Sequence, residues 1–190
     1  MQRQEESLLI RIRKGERKAM EELYDNYAPV LLGVALRYCN CREEAEDQLH
    51  ESLLKILKGI GDFKPSFEGA FEVWMRRVTV NQCLSAMTKK RDFMHTDRII
   101  DSELIEPIED DQIADSLPDL NPEQIIEMMQ SLPMGYRTVL NLYVFEQMSH
   151  KEIANKLNIT ENTSKTQLLK ARNSMKKKLG MMMTKKEATG

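Results

Sequence analysis

The sequence predicts an all-α protein: two small helical domains joined by a flexible acidic linker. Three observations lead there. No segment sustains the two-residue alternation with β-branched enrichment that a half-buried strand requires, so essentially no sheet is expected. Apolar residues instead recur at spacings of three and four, punctuated by Gly, Pro and capping residues. Charge, finally, is spread unevenly behind a net value of -2. Residues 149–190 hold ten Lys/Arg against three Asp/Glu, while residues 92–120 hold ten acids and only Arg98 as a base. Residues 1–91 are nearly balanced, with sixteen basic and fourteen acidic side chains. Local charge is what a phosphate backbone feels, whatever the average.

The first domain is expected over residues 1–91. A helix carrying Leu8, Leu9 and Ile12 breaks at Gly15. A second traces an apolar stripe through Met20, Leu23, Tyr24, Tyr27, Leu31 and Leu32 and on to Ala35 and Leu36, with Pro29 near a joint or kink. A third follows Asn40 and Cys41 and turns Ala45, Leu49, Leu53, Ile56, Leu57 and Ile60 inward. Its first turns crowd Glu43, Glu44, Glu46, Asp47 and Glu51, where acids favour the positive end of the helix dipole. Gly59, Gly61, Pro65 and Gly69 mark a loop. A fourth helix then runs from about Phe71 to Thr88, anchored by Phe71, Trp74, Met75, Val78 and Leu84 and ending in Lys89, Lys90 and Arg91. Trp74 belongs to the core on this pattern.

Residues 92–120 are acidic, hold two prolines and show no helical period, the composition of a linker. Such a strap could lie against the basic C-terminal segment and suppress DNA binding. The second domain is expected over residues 121–183, with residues 184–190 as a tail. It opens at Asn121-Pro122-Glu123-Gln124, an N-cap, a proline at the first helical position and a Gln able to reach back. Leu132-Pro133 interrupts this helix, and Tyr136, Val139, Leu140, Leu142, Tyr143 and Phe145 form the next.

The segment from Ser149 to Leu179 reads as a helix-turn-helix. Ser149 and Glu152 make a capping box, Ile153, Ala154 and Leu157 supply an apolar stripe, and Ala154 is small where helices cross. Asn158 sits at the turn because Asn tolerates the left-handed conformation, Ile159 is an apolar plug, and Thr160 caps the next helix. In that helix Ser164, Leu168, Ala171, Met175 and Leu179 form the buried stripe. At about 100° per residue, Asn162, Thr166, Lys170, Asn173 and Lys177 lie opposite, flanked by Lys165 and Leu169. Their amide, hydroxyl and ammonium groups suit base edges and phosphates, and an exposed Leu169 suits a thymine methyl.

Other classes are excluded by what is missing. With 41% apolar and 31% charged residues the chain suits a soluble globular protein. It holds no apolar run of membrane-spanning length, and Met1 to Glu6 lack a signal-peptide core. Three cysteines cannot pair completely, and Cys39-x-Cys41 has no partner cluster for zinc, so reduced thiols and a cytoplasmic location are expected. His50, His95 and His150 are far apart, and no phosphate-binding Gly loop, zinc spacing or activated nucleophile is present. No catalytic residue, metal or cofactor is expected.

Over almost its whole length the chain resembles the bacterial extracytoplasmic-function sigma factors, which direct RNA polymerase to promoters. Gly15-Glu16 with Ala19 to Tyr27 is similar to the family's opening helix, and Arg42 to Asp47 through Leu54-Lys55 to its polymerase-binding helix. Phe71 to Asn81 is similar to the promoter-melting helix, and Leu132 to Arg137 with the helix-turn-helix to the C-terminal domain. Gln167 stands where the family's recognition helix commonly has Arg, which removes a phosphate-binding cation.

The resemblance implies three surfaces. Thr160, Asn162, Thr163, Lys165, Thr166, Leu169, Lys170 and Arg172 would meet the duplex upstream (-35) element, with Asn162, Thr163 and Thr166 as base readers. Lys64, Phe67, Arg76, Arg77, Asn81, Lys89, Lys90 and Arg91, with Phe63 nearby, would hold the melted downstream (-10) strand. Glu46, Asp47, His50, Glu51 and Leu54 would dock on core RNA polymerase. Promoter DNA, core polymerase and an anti-sigma factor are the implied partners. The helix-turn-helix by itself leaves open an alternative, a regulator that binds an operator without polymerase. The match over the first 91 residues argues against it.

Overall fold

The computed structural model describes residues 2–94 and 121–187, with side-chain environments over residues 5–89 and 121–181. The stretch 95–120, with most of the expected linker and its suggested shielding of the basic segment, lies outside the described residues, as do the side chains of Lys90 and Arg91. All regular structure among the described residues is helical. The chain divides into two compact units, each with a core of its own.

The N-terminal unit contains α1 (Gln2–Arg13), α2 (Arg17–Tyr38), α3 (Arg42–Gly59) and α4 (Ala70–Met94). Gly15, at φ 77°, makes the reversal between α1 and α2, a conformation that L side chains rarely adopt. Leu8, Leu9, Ile12, Leu23, Leu31, Leu49, Ile56, Phe71 and Met75 share one core. The stripe expected on α2 holds in part: Leu23, Leu31 and Ala35 are buried, and Tyr27, Leu32 and Leu36 are half-buried. Met20 and Tyr24, however, are exposed, and Ala19, Ala28, Val34 and Tyr38 are buried beside the stripe. The added residues include two alanines, Ala19 and Ala28, which a reading weighted to large side chains passes over. α2 also continues through Pro29 without a break. Pro29 is exposed, so the carbonyl its missing N–H would have bonded can turn to solvent.

α4 runs past the expected basic stop to Met94, so Lys89 to Arg91 extend the helix. Trp74 is in the core as expected. Its ring lies 4.9 Å from that of Phe63 and 5.9 Å from that of Phe71. A Cβ on Gly59 would stand 3.1 Å from the indole, so the missing side chain there lets α4 close on α3. Cys39 and Cys83 are buried with unbridged thiols. A hydrogen bond with Cys39, then burial, pushes the Cys83 thiol up.

The C-terminal unit contains α5 (Pro122–Gln130), α6 (Met134–Val144), α7 (His150–Leu157) and α8 (Glu161–Glu187). The Asn121 side chain accepts from the Gln124 N–H at 2.8 Å, and the Gln124 carbonyl accepts from the Asn121 N–H at 3.1 Å, closing the expected capping box. α6 is buried nearly all round, by α8 above all. Tyr136, Val139, Leu140 and Leu142 are joined there by the polar Arg137, Thr138 and Asn141. Arg137 donates to the Gln130 carbonyl at 3.1 Å, and Asn141 to the Arg137 carbonyl at 2.9 Å. Phe145, expected in this core, is exposed because α6 ends at Val144.

Candidate nucleic-acid interfaces

The helix-turn-helix is built as its residues require. Glu152 accepts from the Ser149 N–H at 2.8 Å and its own N–H reaches the Ser149 hydroxyl at 3.3 Å. The Ser149 hydroxyl, then its N–H, holds the Glu152 carboxyl below its ordinary value. Asn158 ends α7 in the left-handed region, at φ 54° and ψ 48°. The Ile159 N–H then returns to the Ala154 carbonyl at 3.0 Å, which sets the entry angle of α8. Thr160 caps α8 by accepting from the Thr163 N–H at 3.0 Å.

α8 buries the expected stripe: Ser164 and Ala171 are fully enclosed, Leu168 nearly so, and Met175 and Leu179 are half-buried. Its buried arc is wider than a stripe, however, because α6 and α7 both pack on it. Lys170, expected among the DNA-facing residues, is only 8% exposed, and its ammonium lies 5.8 Å from the centre of the Tyr136 ring on α6. Gln167 faces the same neighbour, with its amide about 3.3 Å from where a Cβ on Gly135 would stand. Leu169 is half-buried where it was expected exposed, and Asn173 is half-buried too. The surface that α8 leaves to solvent holds Asn162, Lys165, Thr166, Lys176 and Lys177, with Thr163, Leu169 and Arg172 half-exposed at its edges. Lys165 pairs with Glu161 at 3.3 Å, and Arg172 lies 5.8 Å from the Tyr143 ring. Lys176 was missed by sequence reasoning, although it continues the register of Asn162, Lys165 and Leu169.

In the N-terminal unit the solvent face of α4 runs through Val73, Arg77, Asn81, Ser85 and Lys89. All five are spaced by four, so they climb one side of the helix. Arg76 sits off this line and is paired with Glu72 at 2.7 Å. Phe67 is 56% exposed and Lys64 is exposed, both on the loop that leads into α4. Phe63 turns inward, its ring 5.4 Å from that of Phe71, so it joins the core and not the loop surface. Arg13, which no sequence pattern singled out, holds this loop: its guanidinium donates to the Ile60 carbonyl at 3.1 Å and to the Phe63 carbonyl. An exposed aromatic ring, cations and an amide on one anchored frame are what unstacked bases and their backbone need.

α3 presents a third surface. Asp47, His50, Glu51 and Leu54 are all exposed, Leu54 by 52%, and their spacing of three, four and seven puts them on one face. Glu46 is half-buried and paired with Arg42 at 2.8 Å, beside that face and not in its centre. The acids before it serve the helix start. Glu44 accepts from the Asn40 N–H at 2.9 Å. Glu43 is held below its ordinary value by its own backbone N–H and by a side-chain hydrogen bond with Cys41. The dipole explanation therefore accounts for Glu43 and Glu44 but leaves Asp47, Glu51 and Leu54 without a structural task.

Comparison with known proteins divides the chain in the same way. Residues 23–93 match the family model "Sigma-70 region 2" and residues 122–175 match "Sigma-70, region 4". The chain is similar to the RNA polymerase sigma-H factor of Pseudomonas aeruginosa, 26% identical over 188 residues that cover 94% of this chain and 95% of that one. It is also similar to the ECF RNA polymerase sigma-E factor of Haemophilus influenzae, 24% identical, covering 94% of this chain and 97% of the relative. Among solved structures it is similar to the sigma factor RpoE of Bartonella quintana, crystallised with the anti-sigma factor NepR. That likeness has 19% identity and a TM-score of 0.49, covering 84% of this chain and 96% of that one.

Proposed function

The chain belongs to the extracytoplasmic-function RNA polymerase sigma factors, and from that premise we propose how its surfaces divide the work of promoter-directed initiation. It is an initiation factor that binds core polymerase and promoter DNA, not an enzyme. We assign the -35 duplex to α8, with Asn162, Thr163 and Thr166 reading base edges and Lys165, Lys176 and Arg172 meeting phosphates. Lys170 is left out of this set because α6 covers it. The melted -10 strand falls to Arg77, Asn81 and Lys89 on α4 together with Lys64 and Phe67 of the loop. Extruding a base costs a few kcal/mol, recovered by stacking and a fitted pocket. Core polymerase docks on the Asp47, His50, Glu51 and Leu54 face of α3.

We place the two domains at residues 1–91 and 121–183, with the acidic stretch 92–120 as the connection and residues 184–190 as a tail. The working compartment is the cytoplasm, where polymerase and promoters are, and an anti-sigma factor that covers these faces is the regulator that family membership suggests. One observation carries the reading: two separate units in one chain each expose a surface whose chemistry suits a different form of DNA, and a third surface in the first unit suits a protein. Run-off transcription with purified core polymerase on a promoter library tests it. Specific transcripts that disappear when Asn81 or Asn162 is replaced by Ala are the expected result. A chain that neither co-purifies with core polymerase nor starts transcription overturns it, and operator binding without polymerase would then be the better reading.

A further inference from the structure

His150 is the first residue of α7, immediately after the Ser149 cap, and has no part in the assignment above. Its ring is held on two sides. Nδ1 lies 3.0 Å from the hydroxyl of Ser164, which is fully buried on α8, and the ring stacks on Tyr143 of α6 at 4.8 Å and 25° between planes. This leaves Nε2 as the ring's other nitrogen. The charged groups around it are Glu161, Lys165 and Arg172 on α8, with Lys151 and Glu152 on its own helix and the Tyr143 phenol on α6. Lys165 and Arg172 are the cations assigned to backbone phosphates, and Glu161 is the partner of Lys165. His150 thus sits where two phosphate-binding cations meet the start of the base-reading helix.

We propose that His150 is a further duplex-contacting residue, one that takes a proton from solvent as the phosphate backbone seats against the starts of α7 and α8. The proposal rests on the assignment of α8 to duplex DNA. In the unbound protein, burial first, and then the charge of Lys165, lower the affinity of the imidazole for a proton, and it is neutral near pH 7. Bound phosphates neutralise Lys165 and Arg172 and put negative charge beside the ring, which reverses the sign of the local field. The imidazolium then donates from Nε2 to a phosphate oxygen, a charge-assisted bond that the neutral ring makes less well. Binding and protonation are linked, so duplex affinity must rise as pH falls through the range near and below the ordinary histidine value. For one proton the slope cannot exceed about ten-fold per pH unit.

The experiment uses the full chain, a duplex carrying the -35 element of a promoter found by run-off transcription, and constant ionic strength. Wild type is expected to bind about three- to ten-fold more tightly near pH 6 than near pH 7.5. Calorimetry in two buffers of different ionisation heat should show net proton uptake. His150→Gln should lose the slope. His150→Lys should be flat with pH and at least as tight as wild type at low pH. His50 and His95 remain in both variants, so any slope that they cause survives and is told apart. Should the variants fold poorly, the His150 ring signal of wild type, followed by NMR with and without duplex, must titrate higher in the complex. A wild-type slope retained in His150→Gln, or an imidazole whose titration is unmoved by duplex, overturns the proposal. Absence of promoter-duplex binding at every pH overturns it too, and in that case the assignment of α8 falls first.

Discussion

α4 and α8 occupy the same place in their units, yet they offer DNA different things. Each is pinned by neighbouring helices and keeps one long face in solvent. On α4 that face is sparse, with Val73 39% exposed, Arg77, Asn81 and Ser85, and it borrows the exposed Phe67 from a loop. On α8 it is dense in amide, hydroxyl and ammonium groups, concentrated where a tight turn delivers the helix start. An exposed apolar ring and a single amide in one unit suit a base pulled from its stack, whose π-face is available. Directional polar groups at a helix start suit paired bases, which present only their edges. Amphipathicity is common to both, and the chemistry of the remaining face separates a melted strand from a duplex.

The strongest test of the separation is to damage one core at a time. Met75→Ala and Leu142→Ala each remove a fully buried side chain, at a cost of about 2–5 kcal/mol. Met75→Ala should lower the unfolding midpoint of the N-terminal unit and weaken capture of a single-stranded -10 oligonucleotide, with duplex binding kept. Leu142→Ala should do the reverse. Denaturant melts run beside both binding assays check this, and two substitutions with the same effect on both ligands would erase the distinction.

Surface substitutions sharpen it. Phe67→Ala should lose about 1–3 kcal/mol of single-strand binding if the ring stacks on a base, with no change on duplex. Asn162→Ala should lose a comparable ~1–3 kcal/mol of discrimination between matched and mismatched duplexes and leave the single strand alone. Competition titrations with the two oligonucleotide classes read both effects.

Two lysines divide the next effect. Lys165→Met should reduce the salt dependence of duplex binding by about one phosphate contact and leave stability nearly unchanged. Lys170→Met should do the opposite, keeping the salt slope and losing about 0.5–2 kcal/mol of stability as the contact with Tyr136 goes. Sequence periodicity ranks these two lysines alike, so the pair also measures what the fold adds.

Much of the fold was legible because its signals are local. Capping boxes at Asn121 and Ser149, the left-handed Asn158, the Gly15 break and the spacing of Leu49, Leu53 and Ile56 each depend on a few neighbouring residues. The misleading positions are tertiary in origin. Lys170 and Phe145 are a cation and an aromatic ring whose environments are set by where α6 runs and where it stops, and no period along α8 encodes that. Met20 and Tyr24 looked like core because they are large, while Ala19 and Ala28 are buried in their place because helices that approach closely need small residues. The candidate site was legible as residue types and helix faces. Arg13 was not, because its partners, the carbonyls of Ile60 and Phe63, are about fifty residues away in the chain.

The smallest expected effect concerns how α8 is aimed. Ser149→Ala removes one partner of the capping box and should cost about 1 kcal/mol of stability in the C-terminal unit. It also removes the hydroxyl that is the leading cause of the low Glu152 titration, so that carboxyl should move up toward 4.5 in the variant. A carboxylate whose folded value lies below its unfolded one contributes stability that is present above the unfolded value and is lost as pH falls through the folded one. Wild type should therefore lose part of its advantage over Ser149→Ala on acidification below about 4.5, and the two should be most different near neutrality. Carboxyl titration by NMR beside denaturant melts at several pH values would show it. A gap between the proteins that stays constant down to the lowest pH would mean that the box acts through backbone geometry alone, and that the charge of Glu152 has no part in presenting α8.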